Sequence, residues 1–407
     1  KPHPDGVLLA AKRFQVDPQT ILLVGDFHFD IDAGRSAGAL TALLDDGRTD
    51  PNRGITCDFR AASLSEIEKI VRYGLPLPNG KFPSDLLDEF FGHLHHEDQR
   101  FLIKPGIGED TAAIDMSNQN TLVVTSDPIT FVTDQIGYYT VLVNANDIAT
   151  SGATPQWLMT TLLFPPGATP SAILEVMTDI NEACGQWGIT LCGGHTEITD
   201  AVHRPVVVGT LGAAMERADL IDKRNVRPGD CLLLTKGVAV EGTAIIANAF
   251  ADRLQSLGMT SEELDQCRRL VRQISILPEA AVARHTGGVT AMHDVTEGGV
   301  ATAITELSCA GGHHIDIHLD RIPILPQTAN VCRLLDIHPL GLIGSGSLLI
   351  VCRPETVDIL MRTLEDEGIA VAYIGEMKGP GQGVTAHRNN TRVTWPEFEV
   401  DEITRLF

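Results

Sequence analysis

The sequence has no closely spaced pairs of cysteine. Its eight cysteines form neither a CxxC motif nor a zinc-type spacing, which argues against a structural zinc site or a redox dithiol. Several lie in apolar surroundings, so we expect reduced, buried thiols, as in a cytosolic protein. They are Cys57, Cys184, Cys192, Cys231, Cys267, Cys309, Cys332 and Cys352.

Basic residues are also scarce. Lysine and arginine number 31 against 53 acidic residues, which gives a net charge of −22. Proteins that bind nucleic acid neutralise phosphates with Lys and Arg, so this balance argues against a nucleic-acid partner. An anionic substrate would need a local cation, either a bound metal or a few placed basic side chains. The sequence also lacks a signal peptide and an apolar run long enough to span a bilayer, and we expect a cytoplasmic protein without a membrane partner.

The chain is long enough for two or three domains with proper cores, with 407 residues of which 43% are hydrophobic. Strand-like apolar runs alternate with segments of helical spacing, which predicts α/β or α+β layers. The pattern divides the chain into residues 1–72, 73–221 and 222–407.

Three acidic positions stand beside apolar runs within residues 106–155. They are Asp110, Asp127 and Asp147, and the runs predict buried strands or buried helix turns. Carboxylates at the ends of such runs can converge on one rim of a domain, where their hard oxygens suit Mg²⁺ with substrate phosphates. Each Asp alone could equally cap a helix or close a turn. Three in one short window favour a metal site.

Two Gly-Gly motifs stand next to polar residues that could contact a ligand. The first follows a predicted strand, where Gly193-Gly194 would let the backbone approach a ligand and residues 195–197 would present polar groups. The second is Gly298-Gly299, which follows residues 294–297 and opens a predicted helix. A helix N-terminus favours phosphate, although an ordinary capped helix explains this stretch equally well.

Residues 1–72 form a separate unit with the pattern KP…VGDFHFD…AG. This pattern resembles the C-terminal half of the haloacid-dehalogenase (HAD) phosphatase superfamily. The resemblance implies that Lys1, Asp26 and Asp30 serve phosphate and Mg²⁺. The aspartate nucleophile of that family lies upstream of this segment, so we expect no phosphatase activity from this chain. We also expect the missing half of the domain to be encoded upstream of Lys1.

From about residue 78 to 407 the chain resembles the superfamily of aminoimidazole ribonucleotide (AIR) synthetase, thiamine-monophosphate kinase, selenophosphate synthetase and HypE. It is most similar to the HypE-like, AIR synthase-related branch. The resemblance implies two α/β domains, of which the N-terminal ones of two subunits pair into a barrel, with ATP and Mg²⁺ in a cleft lined by both domains. The matching segments are GIGEDTAAID, TSDPIT, VNANDIATSGATP, GGHTEIT, LLLTKGVAVEGTAIIA, MHDVTEGGVATAITE and GSGSLLIVC.

The resemblance also implies roles for particular residues. The Mg²⁺ ligands implied are Asp110, Asp127, Asp147, Asp294 and Glu297. The nucleotide contacts implied are Asn146, Gly193, Gly194, Thr196, Thr296 and Lys236. The catalytic residues implied are Asp147, His195 and Glu197.

Two departures from the family pattern change these expectations. His195 stands where the kinases have an aspartate, and a neutral imidazole is a poor Mg²⁺ ligand, so Glu197 substitutes or the site holds fewer ions. Phe407 stands where HypE proteins have a C-terminal cysteine. That thiol bears the carbamoyl group that becomes a nitrile, so we expect no cyanide-forming chemistry.

We therefore expect an ATP- and Mg²⁺-dependent enzyme that activates a small substrate by phosphoryl transfer, mostly through positioning and neutralisation of the phosphates. A small-molecule kinase like the thiamine-monophosphate kinases is one alternative. A non-catalytic nucleotide-binding regulator or scaffold is another. The family also implies a homodimer formed through residues of about 101 to 216.

Overall fold

The computed structural model divides the chain into two compact units, Lys1–Pro78 and Asn79–Phe407. Three residues with predicted roles, Lys1, Asp110 and Phe407, lie outside the described residues. Within the described part of the chain, no helix is both long and apolar enough to cross a membrane. The structure describes residues 2–45, 54–74, 84–85, 88, 100–103, 106–109, 111–117, 120–130 and 134–406.

The first unit is built on a small parallel sheet in the order β1-β2-β3. Parallel neighbours need a crossover connection, and a helix supplies it between β1 and β2. The sequence predicts a helix over residues 5–15 and strands over residues 21–26 and 39–44, and all three are confirmed. The strands are β1 (Leu22–Gly25), β2 (Leu40–Leu44) and β3 (Phe59–Ala61), and the helices are Asp5–Phe14, His28–Ala37 and Leu64–Lys69, followed by a π-helical turn at Ile70–Gly74.

The first half of the second unit is a mixed sheet in the order β4-β5-β6-β9-β7-β8. Its neighbours are antiparallel except for the parallel pair of β7 and β8. The strands are β4 (Phe101–Ile103), β5 (Ala112–Asp115), β6 (Asn120–Ile129), β7 (Trp157–Phe164), β8 (Thr190–Ile198) and β9 (Val206–Glu216).

Two helices, Ile136–Thr150 and Pro170–Trp187, cover one face of this sheet. In β7 the residues Leu158, Leu162 and Phe164 are buried against the helices, because successive side chains of a strand point to opposite faces. Residues 141–143, which fitted either a strand or a helix turn, belong to the first of these helices.

The second half is a sheet in the order β11-β13-β10-β14-β12-β15-β16 with helices on both faces. Successive side chains of β10 point to opposite faces of the sheet, so this strand contributes to both hydrophobic cores. Leu232 and Leu234 belong to one cluster and Leu233 belongs to the other. Within residues 341–355 the sequence predicts a Gly-Ser turn followed by a buried strand, and this strand is confirmed as β13. The strands are β10 (Cys231–Thr235), β11 (Val289–Asp294), β12 (His313–His318), β13 (Leu348–Cys352), β14 (Val371–Pro380), β15 (Val384–Arg388) and β16 (Thr391–Val393).

The sequence predicts one helix over residues 239–256 and another over residues 261–285, and both are interrupted. Residues 261–285 form a helix, a 3₁₀ turn and a second helix that begins at Leu277, directly before Pro278. Proline in a helix interior removes a hydrogen bond and clashes with the preceding turn, so a new helix starts there instead. The helices are Val240–Ala249, Ala251–Ser256, Ser261–Arg268, Leu277–Thr286, Gly299–Gly311, Pro326–Leu335 and Val357–Asp366, and 3₁₀ turns occupy Pro18–Thr20, Arg217–Asp219, Lys223–Asn225, Arg269–Gln273, Leu319–Arg321, Pro339–Gly341, Pro354–Thr356 and Glu402–Leu406.

All eight cysteines are free thiols, as predicted. Cys184, Cys267, Cys332 and Cys352 are buried, and burial raises the pKa of each of these thiols. The expectation that the thiols are buried does not extend to Cys192, which lies exposed on strand β8.

Candidate active site

A cleft of about 680 Å³ lies between the two halves of the second unit. The first half contributes residues from the start of β5, from β6 and from the helix Ile136–Thr150. The second half contributes the turn after β11, the start of the helix Val240–Ala249 and the loop before β13. Both halves therefore shape one site.

The lining of this cleft is strongly acidic. Hydroxyl groups of several Thr and Ser residues stand among the carboxylates, and the lining residues that the structure describes include no Lys, Arg or His. At the rim, Glu109 lies 3.8 Å from the buried ammonium of Lys223, measured between Oε2 and Nζ. The carboxylates are Glu109, Asp127, Asp147, Glu241, Asp294 and Glu297.

Asp147 is positioned by its helix and by a neighbouring strand. It lies in the last turns of the helix Ile136–Thr150 and is 4% exposed. The hydroxyl of Thr125 on β6 donates to its Oδ2 at 2.7 Å. This hydrogen bond fixes the carboxylate and leaves it on the wall of the cleft.

Asp127 on β6 is held through its backbone. The Asn144 side chain accepts a hydrogen bond from the Asp127 amide at 3.0 Å and donates to the Asp127 carbonyl at 3.4 Å. Gly209 on the neighbouring strand β9 leaves room for the Asn144 side chain. A Cβ at position 209 would lie 2.4 Å from the Asn144 amide nitrogen. The strand and the helix thus bring Asp127 and Asp147 to the same cleft, as the sequence predicts.

Asp294, Thr296 and Glu297 enter the cleft from the other half. Asp294 ends the buried strand β11, and the two others lie on the turn before the helix Gly299–Gly311. Asp401 accepts a hydrogen bond from the Gly298 amide at 2.6 Å, and no side chain caps the first turn of the helix. A phosphate site and an ordinary helix end both stay predictions for this N-terminus.

Glu241 is a cleft residue that the sequence reasoning missed. It lies in the first turn of the helix Val240–Ala249, and the Ser345 amide donates to its Oε2 at 3.1 Å. Burial raises the pKa of Glu241 to about 7, the hydrogen bonds from Ser345 oppose this rise, and the charge of Asp401 adds to it. The sequence feature that could have indicated this residue is its position as the single carboxylate within the otherwise apolar run VAVEGTAIIA.

Two predicted nucleotide contacts have internal partners instead. The Asn146 amide donates to the Ile274 carbonyl at 2.8 Å and accepts from the Ile276 amide at 2.9 Å. Lys236 donates to three backbone carbonyls and lies 2.6 Å from Glu279. Neither side chain lines the cleft. Both instead hold the segment 273–276 of the second half in place.

The GGHTE motif lies within strand β8 rather than after it. Gly194 meets a neighbouring strand, not a ligand, because a Cβ at this position would lie 1.9 Å from the Thr160 carbonyl oxygen. His195 and Glu197 are exposed on the edge strand, with 3.7 Å between Nε2 and Oε2, and neither they nor Gly193 or Thr196 line the cleft.

The donor chemistry of the cleft fits a hard cation. Carboxylate and hydroxyl oxygens are the ligands that Mg²⁺ prefers, and Mg²⁺ usually combines one or two carboxylates with water and phosphate oxygens. Among the described residues, no three His, Cys, Asp or Glu side chains stand close enough to hold an ion by themselves. The donor set thus fits an ion that shares its coordination with a bound phosphate.

Two family models match the two halves of this unit. The model described as the N-terminal domain of AIR synthase related protein matches residues 108–214, and its C-terminal counterpart matches residues 227–387. The chain belongs to the AIR synthase/HypE superfamily. A third model, described as HAD-hydrolase-like, matches residues 1–66.

Individual relatives agree with this assignment. Carbamoyl dehydratase HypE of Cupriavidus necator is 26% identical over 288 residues, which cover 68% of this chain and 78% of that protein. A solved structure of the hydrogenase maturation protein HypE in complex with ATP aligns with a TM-score of 0.60 at 18% identity and covers 80% of this chain and 97% of its own. A ThiL protein in complex with AMPPCP and TMP aligns with a TM-score of 0.59 at 17% identity and covers 77% and 94%. The fold is therefore the AIR synthase fold, as predicted.

In the HAD-like unit, the two acidic residues with predicted roles lie near the end of strand β1. Asp26 directly follows β1, and Asp30 lies in the first turn of the next helix. Asp30 packs against position 25, which is glycine because a Cβ there would lie 2.1 Å from the Asp30 Cβ.

Proposed function

We propose that the chain binds Mg-ATP in the acidic cleft and activates an oxygen of a small substrate by phosphoryl transfer. Two family members support the nucleotide, since HypE has been solved with ATP and a ThiL protein with AMPPCP. A selenide, water dikinase of Trichlorobacter lovleyi is a further relative, 27% identical over 251 residues.

The observation on which the proposal depends is the charge of the cleft. Six carboxylates line it, and no basic side chain does so among the described lining residues. A bare triphosphate would be repelled by such a wall. Divalent cations between the carboxylates and the phosphates would reverse this interaction.

Three aspartates are the proposed ligands in the described part of the chain. Asp127 and Asp147 come from the first half and Asp294 from the second, with Glu297 beside it. Mg²⁺ would neutralise the charge of the transferred phosphoryl group. The chain itself would supply orientation, because Thr125 and Asn144 fix the two aspartates of the first half before any ligand binds. The roles of Asp110, His195, Thr196 and Glu197 stay predictions.

Asp147→Asn tests the site. Asparagine keeps the shape and can still accept the Thr125 hydrogen bond, but it lacks the negative charge of a Mg²⁺ ligand. We expect at least a tenfold loss of Mg-ATP affinity with an unchanged melting temperature, measured by calorimetric titration and by thermal unfolding. The control is Asp252→Asn, an exposed aspartate outside the cleft, which should bind as the parent does. Unchanged affinity in Asp147→Asn would show that Asp147 is only a structural residue.

A further inference from the structure

A second pocket, of about 700 Å³, has the opposite charge to the cleft. Three arginines, Arg268, Arg269 and Arg272, lie along its wall at the end of the helix Ser261–Arg268 and in the 3₁₀ turn after it. The molecule has a net charge of −22, so a cluster of three cations within five residues is a marked local departure.

Among the described residues, only one of these arginines has an acidic partner. Arg268 pairs with Asp265, with 3.0 Å between Nη1 and Oδ1. Arg269 and Arg272 are exposed, and neither forms an ion pair or a side-chain hydrogen bond with another described residue. Two guanidinium groups therefore face the pocket with all their donors available, and guanidinium donors match the geometry of phosphate oxygens.

The opposite wall supplies neutral hydrogen-bond donors. Gln135, Tyr138 and Gln186 line it, all from the first half of the unit. Gln135 has φ of 57°, an uncommon conformation for a residue other than glycine, and it precedes the helix Ile136–Thr150. Burial raises the pKa of Tyr138, and the charge of nearby Arg272 opposes this rise, so the hydroxyl stays protonated and can donate.

We propose that this pocket is a second ligand site, which binds a small phosphorylated molecule with at least two negative charges. The arginines recognise the phosphate oxygens, and the two glutamines and the tyrosine donate the remaining hydrogen bonds. The volume lies within the range of about 300–1,000 Å³ that is typical of small-molecule sites. The ligand needs no metal here, in contrast to the cleft.

The position of the pocket connects such a ligand to the cleft. Its walls come from both halves of the unit, and one wall includes the start of the helix Ile136–Thr150, which carries Asp147. The other wall continues along the chain into residues 274–276. There Asn146, from the same helix as Asp147, forms hydrogen bonds with the backbone of Ile274 and Ile276. A bound anion would thus link the two halves that also enclose the cleft.

Titration of the full chain with inorganic pyrophosphate in EDTA tests the proposal, because the acidic cleft should not bind this anion without a divalent cation. We expect one pyrophosphate per chain, with an affinity that falls as KCl is raised. The double substitution Arg269→Gln with Arg272→Gln should weaken binding at least tenfold. The control is Arg362→Gln, an exposed arginine on the helix Val357–Asp366, which should leave binding unchanged.

Tyr138→Phe provides a second, milder variant, which removes a single hydroxyl and should weaken binding severalfold. Absence of pyrophosphate binding by the parent chain would overturn the proposal. It would do so even if the parent chain bound an acidic peptide. Equal binding by the parent and the folded double variant would overturn it as well. Circular dichroism of each variant shows whether it is folded.

Discussion

At the scale of single residues, Glu241 shows how burial changes the chemistry of the cleft. The residue is 5% exposed, and burial raises the pKa of its carboxyl from 4.5 to about 7. The hydrogen bond that Ser345 donates lowers this pKa, and the negative charge of Asp401 raises it. Near neutral pH this group is therefore partly protonated, unlike an exposed glutamate.

This shift predicts a pH-dependent stability difference. The folded pKa lies above the unfolded one, so the contribution of Glu241 is fully present below about pH 4.5 and is lost as pH rises through about 7. Glu241→Gln cannot ionise and should be more stable than the parent at pH 8 by up to about 3 kcal/mol, since one pKa unit corresponds to about 1.4 kcal/mol. At pH 4.5 this advantage should vanish.

Urea unfolding of both proteins in EDTA at pH 4.5 and pH 8 measures this difference. Glu365→Gln, at an exposed helix position, is the matched control and should show little change with pH. A Glu241→Gln advantage of the same size at both pH values would contradict the assigned shift.

At the scale of helices and strands, Asn146 joins two elements rather than a ligand. It is fully buried in the helix Ile136–Thr150 and satisfies the carbonyl of Ile274 and the amide of Ile276. A buried backbone group without a partner costs about 1–3 kcal/mol. The family resemblance places this residue near the nucleotide, whereas its hydrogen bonds show a structural role.

Asn146→Ala should accordingly destabilise the chain by about 2–5 kcal/mol, because it leaves two buried backbone groups unsatisfied. Thermal or urea unfolding measures the loss. Asn181→Ala, an exposed position of the helix Pro170–Trp187, should stay within about 0.5 kcal/mol of the parent. A stable Asn146→Ala protein with weakened Mg-ATP binding would instead restore the predicted nucleotide contact.

Local pattern predicted the elements better than it predicted where polar side chains point. The apolar runs of β1, β2 and β13 predict these strands, and the helical spacing over residues 171–188 predicts the helix Pro170–Trp187. The end of β8 was missed because two glycines usually signal a turn, and only the close approach of Gly194 to Thr160 explains them inside a strand. The partners of Lys236 and Asn146 come from more than 30 residues away, which no local pattern encodes.

At the scale of the whole molecule, none of the described residues covers one face of the six-stranded sheet. Trp157 and Met159 on this face are 44% and 54% exposed. All nine residues of β8 are exposed, and the strand lies at the edge of the sheet. Unpaired backbone groups at such an edge can form hydrogen bonds with another chain. This surface supports the proposed homodimer.

Sedimentation at micromolar concentration should therefore give about twice the chain mass of 43.9 kDa. Met159→Asp places a charge in the apolar face and should shift the protein to the monomer, since a buried unpaired charge is costly. Leu257→Asp, another exposed apolar residue but outside the sheet, should leave the dimer intact. A monomeric parent protein would contradict the proposed dimer.

The central claim for the molecule is that its acidic cleft binds ATP only together with a divalent cation. The most direct measurement is a calorimetric titration with ATP in Mg²⁺ and in EDTA. The protein should bear Arg269→Gln and Arg272→Gln, so that the basic pocket does not bind the nucleotide. We predict one ATP per chain in Mg²⁺ and at least a hundredfold weaker binding in EDTA. Equal affinity in the two buffers would contradict the account of the cleft.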